Sequence, residues 1–211
     1  MTAPLVEEKG TGRIEAFSDG VFAIAVTLLV LELKVPQLAE EATNVELWSA
    51  LLRRWPSYLA YLVSFTTILI VWVNHHRLFT IIRRSDSRFL FLNGLLLLVV
   101  TTIPFPTALL AEYLERPAAT VACAIYTGTF VLLAFSFYAF WRYAAHRNRL
   151  LAHTVTDEQV AAISRSFLFG PISYLLAFAL AFVNVFASFG VCMLLALFWA
   201  VAGFEPATKR S

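Results

Sequence analysis

Charged and polar side chains cluster at the start of the first long apolar segment. Arg13 is followed by Phe17, Ser18 and Asp19, and these four residues are called the N-terminal motif below. One hydroxyl, that of Thr27, lies deeper in the segment. A charged group at the mouth of a membrane span is costly unless it is paired or faces water. A plain anchor needs no such groups, so the pattern predicts a first helix built around something polar that crosses the membrane.

The residues beyond the motif follow a helical stripe. Ile24, Thr27 and Leu31 are spaced i, i+3 and i+7, with Leu28 beside them and Gly20 one turn earlier. This spacing puts them along one face of a helix. The face could meet lipid, a neighbouring helix or a pore axis, and periodicity alone favours packing against a helix.

The charged residues Arg13 and Asp19 allow two interpretations. They could line a path for an ion, or they could snorkel and bond to each other and to neighbouring helix ends. Their position at the very start of the helix favours the second interpretation. We therefore expect the N-terminal motif to lock helices in position rather than to bind a permeating ion.

A second polar group stands at the end of the second apolar segment. It consists of Trp72, Asn74, His75 and His76, and is called the second-helix group. Adjacent residues point to different faces of a helix, so the two histidines cannot both ligate one metal from one face. The chain has only four histidines and no clustered His-x-x-His boxes, so we expect no metal site. The sequence instead predicts a hydrogen-bond network between this group and the N-terminal motif.

Composition identifies the class of protein. Of the 211 residues, 60% are hydrophobic and only 14% are charged, whereas soluble domains carry about 25% charged residues. An all-α integral membrane protein follows, since lipid excludes open sheet edges. The net charge of +2 gives no support for a nucleic-acid partner. Cys123 and Cys192 lie in apolar stretches and are expected to pack rather than to pair.

Six segments approach the ~20 apolar residues that a membrane span needs. They are Phe17–Leu33, Tyr58–Val73, Phe89–Leu110, Ala118–Tyr143, Phe167–Val183 and Val185–Ala202. A short turn around Asn184–Ser188 joins the last two. With the N-terminus in the cytoplasm, twelve of the sixteen Lys and Arg residues fall on the cytoplasmic side. This asymmetry predicts six spans with both termini inside.

The third segment contains two prolines, Pro104 and Pro106, shortly after Thr101 and Thr102. Two prolines so close together predict a kink or an end of the helix. The threonine hydroxyls could satisfy the carbonyls that the prolines free. A structural kink is the preferred interpretation, and a gating hinge is the other.

The Arg-x-x-x-Phe-Ser-Asp pattern of the N-terminal motif, followed by Ile24 and Thr27, resembles the signature of the transmembrane protein 175 potassium channels, in particular the shorter prokaryotic members. The six-span layout, the second-helix group and the proline kink are also similar. The resemblance therefore extends over essentially the whole chain, and no motif position departs from it.

The resemblance implies a fold and a mechanism. Such channels have six helices per subunit and assemble as homotetramers, with four copies of the first helix around a central pore. The positions of Ile24 and Leu31, with Leu28 nearby, would form an apolar constriction. Thr27 would form a polar layer that favours K⁺, and the N-terminal motif would hold the first helix against its neighbours. The expected function is a potassium-selective channel of modest selectivity in the plasma membrane.

The resemblance also implies the domain boundaries and the binding partners of the chain. Residues 1–12 and 205–211 are expected to be cytoplasmic tails, and residues 13–204 the channel domain. Lipid, monovalent cations and further copies of the chain are the expected partners, K⁺ passes only transiently, and no cofactor is expected.

Other classes of function remain as alternatives. One alternative is a secondary transporter, with or without coupling to protons. Such transporters usually show inverted repeats and polar groups near the middle of the membrane, where this chain is nearly bare apart from Thr27. A membrane enzyme would need metal at the histidines, and we expect none. A structural or regulatory protein without flux of its own is the last alternative.

Overall fold

The structure is a computed structural model that describes residues 11–202, with side chains for residues 11–200. Every regular element in this range is helical. The α-helices are α1 Gly12–Leu28, α2 Asn44–Leu52, α3 Trp55–Ile81, α4 Ser87–Thr102, α5 Pro104–Tyr113, α6 Ala119–Ala145, α7 Asp157–Ala181 and α8 Val185–Ala202. Short 3₁₀ helices, Leu29–Glu32 and His146–Asn148, follow α1 and α6.

Five helical stretches are long and apolar enough to cross a membrane. They are Gly12–Glu32, Trp55–Ile81, Ser87–Tyr113, Ala119–Asn148 and Asp157–Ala181. The apolar part of α8 is shorter, at Val185–Ala200. The protein is therefore an all-helical, multi-pass membrane protein, and a sixth crossing by α8 stays a prediction.

The proline pair interrupts the third span at a single residue, Ile103, between α4 and α5. Ile103 keeps helical backbone angles, so the two helices follow each other closely. The predicted role of the threonines is wrong. Thr101 and Thr102 donate to the carbonyl oxygens of Leu98 and Val99, at 2.8 and 2.7 Å, which are not the carbonyls that the prolines leave without an N–H donor.

Helix α7 begins ten residues earlier than the predicted fifth span. A capping box explains the start, because the Thr156 side chain accepts from the Gln159 N–H while Gln159 accepts from the Thr156 N–H. The turn before α8 is also earlier than predicted: α7 ends at Ala181 and α8 begins at Val185. The side chain of Asn184 then accepts from the Ala187 N–H at 2.9 Å, which places residues 185–188 in the helix.

The short helix α2 was not expected. Thr43 and Glu46 form a capping box at its start, so the signal was present in the sequence as Thr-x-x-Glu. The helix lies between the first two spans and buries none of its side chains within the described protomer.

The helices form one bundle around α6. Helix α6 packs along α7, α4, α5 and α8, while α3 packs against α5 and α8. Helix α1 lies at the edge of this bundle and packs against α3 and α4. The core between these helices is rich in aromatic rings, among them the fully buried Trp141, Tyr126 and Phe140. The bundle thus forms a support on which α1 lies with one face uncovered.

Candidate functional site

Helix α1 has one buried face and one exposed face. Ser18, Phe22, Ala25 and Leu29 point into the protomer and are almost completely buried. This i, i+4, i+7, i+11 spacing is that of a single helix face. Ile14, Val21 and Val26 flank this buried face and are partly buried against the core, and the opposite face points away from the bundle.

The exposed face carries the predicted stripe. Ile24 is 58% exposed, Leu28 41% and Leu31 67%. Phe17, in the N-terminal motif, is 67% exposed on the same side. Large apolar side chains are thus presented outward along the full length of the helix, and something outside the protomer must cover them or face them.

The helix changes its winding within this stripe. The α-helical part ends at Leu28 and the chain continues as a 3₁₀ helix from Leu29 to Glu32. In a 3₁₀ helix the side chains at i and i+3 eclipse each other. Leu28 and Leu31 consequently lie nearly one above the other along the helix axis.

Thr27 lies exposed beside this apolar stripe. Its hydroxyl donates to the carbonyl oxygen of Ile24, with the oxygen atoms 2.9 Å apart. The hydroxyl hydrogen is therefore used within the helix, while the oxygen keeps a lone pair directed outward. Thr27 can act as an acceptor or a cation ligand toward whatever the exposed face meets.

A buried chain of hydrogen bonds ties α1 to α4 and α3. Ser18 Oγ donates to the Ile14 carbonyl oxygen at 2.8 Å, and Asn93 Nδ2 donates to Ser18 Oγ at 3.0 Å. Asn93 Oδ1 then lies 2.9 Å from His75 Nε2. All three side chains are buried, so these bonds are protected from water.

The direction of this chain determines the tautomer of His75. Because Asn93 donates through its nitrogen to Ser18, its oxygen is the atom that faces the imidazole and must accept. His75 therefore carries a hydrogen on Nε2. Its Nδ1 atom is buried and has no hydrogen-bond partner among the described residues. The rings of Phe22, Phe79 and Phe140 surround the imidazole at centroid distances of 4.7–5.6 Å.

Two further bonds join α3 to α1. Trp72 Nε1 donates to Asp19 Oδ1 at 2.8 Å, and His76 Nδ1 lies 2.8 Å from Glu15 Oε1. Trp72 and His76 lie one turn apart on α3, as do Asp19 and Glu15 on α1, so successive turns of the two helices are bonded to each other. The two histidines point in different directions, as expected for neighbours on a helix, since His75 is buried and His76 is exposed.

The remaining predicted residues lie differently. Asn74 donates to the Ile70 carbonyl oxygen of its own helix at 2.9 Å, so it does not reach α1 through this bond. Arg13 and Phe17 are exposed and line a groove between α1 and α4, together with Asn93 and Gly94. Phe17 therefore borders both this groove and the uncovered face of α1.

Sequence reasoning missed two members of the network. Asn93 is the central link, and its signal was a lone amide within the apolar run of α4. Glu15 lies one turn before Asp19, and its charge beside the motif was the available signal. The expectation that Thr27 is nearly alone within the membrane was also incomplete. Ser64 lies buried between Thr107 and Tyr126, with oxygen–oxygen distances of 2.7 and 3.1 Å.

Comparison with known proteins connects this geometry to a family. The family model described as "Endosomal/lysosomal potassium channel TMEM175" matches residues 13–104, which contain the N-terminal motif, the second-helix group and Asn93. A potassium channel of Chamaesiphon minutus is 55% identical over 195 residues, covering 92% of this chain and 96% of that protein. The chain belongs to the TMEM175 family.

Two further comparisons agree. A potassium channel of Streptomyces collinus is 45% identical over 202 residues, covering 95% of this chain and 97% of the relative. The crystal structure of a lysosomal potassium-selective channel TMEM175 homolog from Chamaesiphon minutus superposes with a TM-score of 0.83 at 52% identity, covering 92% of this chain and 98% of that one. The resemblance noted from the motif is confirmed, and a TMEM175 protein belongs to a family of ion channels rather than enzymes.

Proposed function

We propose that this TMEM175 protein is a potassium-selective channel in which four copies of α1 surround a central pore. The single observation that carries the proposal is the uncovered face of α1, where Ile24, Leu28 and Leu31 project away from the bundle. In a closed ring of identical subunits, the same face of each copy can point toward the common symmetry axis. The potassium channels to which the chain is similar support the choice of ion.

The constriction in this proposal is apolar. Rings of Ile24, Leu28 and Leu31 side chains offer no group that replaces the hydration shell of an ion, so a narrow ring closes by losing its water. The eclipsed arrangement of Leu28 and Leu31 would stack two such rings directly above each other. A small rotation or spreading of the helices then suffices to open the path.

Selectivity in this proposal comes from Thr27. Four hydroxyl oxygens with free lone pairs would form a polar layer between the apolar rings. Potassium gives up its water more readily than sodium, so a few weak oxygen ligands favour it. The expected preference is modest, since a layer of hydroxyls is a weaker filter than rings of carbonyl oxygens.

Ser18 and Asp19 of the N-terminal motif, together with Trp72 and His75 of the second-helix group, would keep α1 in register. The buried bonds through Ser18, Asn93 and His75, and the bond from Trp72 to Asp19, fix the rotation of α1 about its axis. Rotation decides which side chains face the pore. These residues are thus positioning residues, and Arg13 and Phe17, at the groove between α1 and α4, would contact the neighbouring subunit.

The arrangement in the membrane completes the proposal. Each subunit would cross the plasma membrane six times, with α8 as the sixth span and both termini in the cytoplasm, as the distribution of Lys and Arg supports. Passage of K⁺ down its gradient requires no cofactor.

A flux measurement tests the proposal. Purified protein is reconstituted into liposomes with a K⁺ gradient, and K⁺ flux is compared with Na⁺ flux for the wild type and for Ile24→Asn. The polar amide should wet the constriction, so we expect K⁺ flux to rise in the variant.

Leu132→Asn is the matched control, because Leu132 is 61% exposed on α6 and Ile24 is 58% exposed on α1. We expect Leu132→Asn to conduct like the wild type. Equal flux in Ile24→Asn and the wild type would remove Ile24 from the pore, and no flux from any protein would favour a transporter or a structural role.

A further inference from the structure

A cavity lies inside the protomer, away from the exposed face of α1. It is lined by residues of α3, α6, α7 and α8 and has a volume of about 80 Å³. Its wall is formed mainly by apolar side chains, including Val71, Leu133, Phe137, Phe167 and Trp199. The helices that surround it are membrane-spanning or apolar along their length, so the cavity lies at the level of the lipid chains.

The local sequence of α7 explains why the space is open. Gly170 and Pro171 line it, and neither presents a long side chain to the opposite helix. Across from Gly170, the Cβ atom of Ala134 on α6 lies 3.8 Å from where a glycine Cβ would be. A methyl group at position 170 would therefore make an ordinary van der Waals contact with Ala134. Both residues are small and line the cavity, so a larger side chain at either position would take up part of its space.

The polar side chains in the wall already have partners within the protein. Thr67 Oγ1 donates to the Val63 carbonyl oxygen at 2.8 Å, and Asn74 Nδ2 donates to the Ile70 carbonyl oxygen at 2.9 Å. The hydroxyl of Tyr174 interacts with the Thr67 side chain. A buried water needs two to four polar partners, and most of the side chains in this wall are apolar, so the cavity favours an apolar occupant.

The cavity has an entrance from the surface of the bundle. Ile70, Asn74 and Trp199 line both the cavity and a groove along the outside of α3, which continues from Thr66 to Arg77. Trp199 stands at the boundary between the two spaces. An occupant can therefore enter sideways between α3 and α8, without passing through the pore axis.

We propose that this cavity is a binding site for the acyl chain of a membrane lipid. A helix of a second copy is about 10 Å across and cannot enter a space of about 80 Å³, whereas a file of methylene groups can. Val71 and Asn74, which line the cavity, are neighbours in α3 of Trp72 and His75. A bound acyl chain would therefore contact the segment of α3 that holds α1.

Quenching of tryptophan fluorescence tests the site. The protein is placed in bilayers of phosphatidylcholine brominated on one acyl chain, and the Trp199 signal is obtained as the difference between wild type and Trp199→Phe. Ala134→Leu fills the cavity from the α6 side, and we expect it to reduce the quenching of Trp199 about twofold. Leu132→Phe, on the exposed side of α6, serves as the control and should leave the quenching unchanged.

Equal quenching of Trp199 in Ala134→Leu and the wild type would overturn the proposal, because bromine would then reach Trp199 only from the surface. A second measurement needs no variant. Electron cryomicroscopy of the wild type in the same brominated bilayers should show bromine density between Phe137 and Trp199. A side chain of a neighbouring subunit, water or an empty space at that position would also overturn it.

Discussion

At the scale of single residues, Thr27 differs from its neighbours because its hydrogen-bond donor is used while its acceptor is free. The donor goes to the Ile24 carbonyl oxygen, and the side chain stays exposed. A cation that passes along this face therefore meets oxygen rather than an O–H hydrogen. Position and orientation together make Thr27 a candidate ligand, which hydrophobicity alone would not indicate.

Replacing Thr27 with alanine should lower the preference for K⁺ over Na⁺. The variant removes four hydroxyl oxygens from the proposed pore and leaves the apolar rings unchanged. Thr27→Ser keeps the oxygen and should stay close to the wild type. Reversal potentials under mixed K⁺ and Na⁺ gradients measure the permeability ratio, and an unchanged ratio in Thr27→Ala would remove the residue from selectivity.

Asn93 is the residue whose loss should cost most within the network. In Asn93→Ala, both Ser18 and His75 lose a buried partner, and each orphaned group costs about 1–3 kcal/mol. Asn74→Ala is the matched control, since that amide bonds only within its own helix in the network described. We expect a clear drop in the thermal unfolding midpoint for Asn93→Ala and a smaller one for Asn74→Ala. Equal drops would mean that the buried chain of bonds does not hold α1.

At the scale of elements, the connection between α3 and α4 is fastened to the one between α6 and α7. The Arg83 N–H donates to the Leu150 carbonyl oxygen at 2.9 Å, and the Ala152 N–H donates to the Ile81 carbonyl oxygen at 2.8 Å. These bonds join the connection that follows α3 to the connection that precedes α7. Separating the two connections must therefore break backbone hydrogen bonds.

Asp86 strengthens this junction from outside the spans. Its carboxylate accepts from the Phe89 N–H at 2.9 Å, which caps α4, and from Arg149 Nη2 at 2.8 Å. Asp86→Ala removes both, and loss of a cap costs about 1 kcal/mol. Asp86→Asn keeps an acceptor for the cap but loses the ion pair, worth about 0.2–1 kcal/mol at a surface. We expect both variants to unfold at lower temperature than the wild type, with alanine lower than asparagine.

The difference in unfolding midpoint between the wild type and Asp86→Asn should depend on pH, because the pKa of Asp86 is shifted in the folded protein. Desolvation alone would raise that pKa, but the Phe89 N–H, the Tyr143 hydroxyl and Arg149 together lower it below its ordinary value. A lowered pKa gives stability that is present above the unfolded pKa and lost as pH falls through the folded one. The unfolding midpoints of wild type and Asp86→Asn should therefore converge in acid, below about pH 4. A constant difference down to pH 3 would contradict this.

The elements were predictable from the sequence to different degrees. The long apolar runs identified the helices that span the membrane, because burial in lipid dominates all local preferences there. The starts of α2 and α7 were missed, although Thr43 and Thr156 open capping boxes, since capping is decided by local hydrogen bonds and not by hydropathy. Asn93 could not be paired with His75 by spacing, because the two residues lie on different helices and meet only where α3 and α4 both pack against α1.

At the scale of the whole molecule, the exposed surface of α1 differs from that of α6 and α7. Lipid can cover the apolar side chains of α6 and α7, but α1 carries an exposed stripe that begins beside charged groups, Arg13 and Asp19. Charged groups within a membrane almost always face protein or water. Lipid contact along α1 is therefore disfavoured, and a neighbouring copy or a water-filled path is the better match.

Disulfide trapping tests whether α1 faces lipid or the α1 helix of a neighbouring copy. A disulfide requires the Cα atoms of its two cysteines to lie about 4.4–6.8 Å apart. In a ring of four α1 helices, Ile24→Cys would place cysteines of neighbouring copies close to this separation. Oxidation in the membrane should then yield covalent dimers of the chain. Leu132→Cys, similarly exposed on α6, should remain monomeric on a non-reducing gel. The native Cys123 and Cys192 are buried and give no background. Cross-linking at Leu132 alone, or at neither position, would mean that α1 does not lie at the fourfold axis.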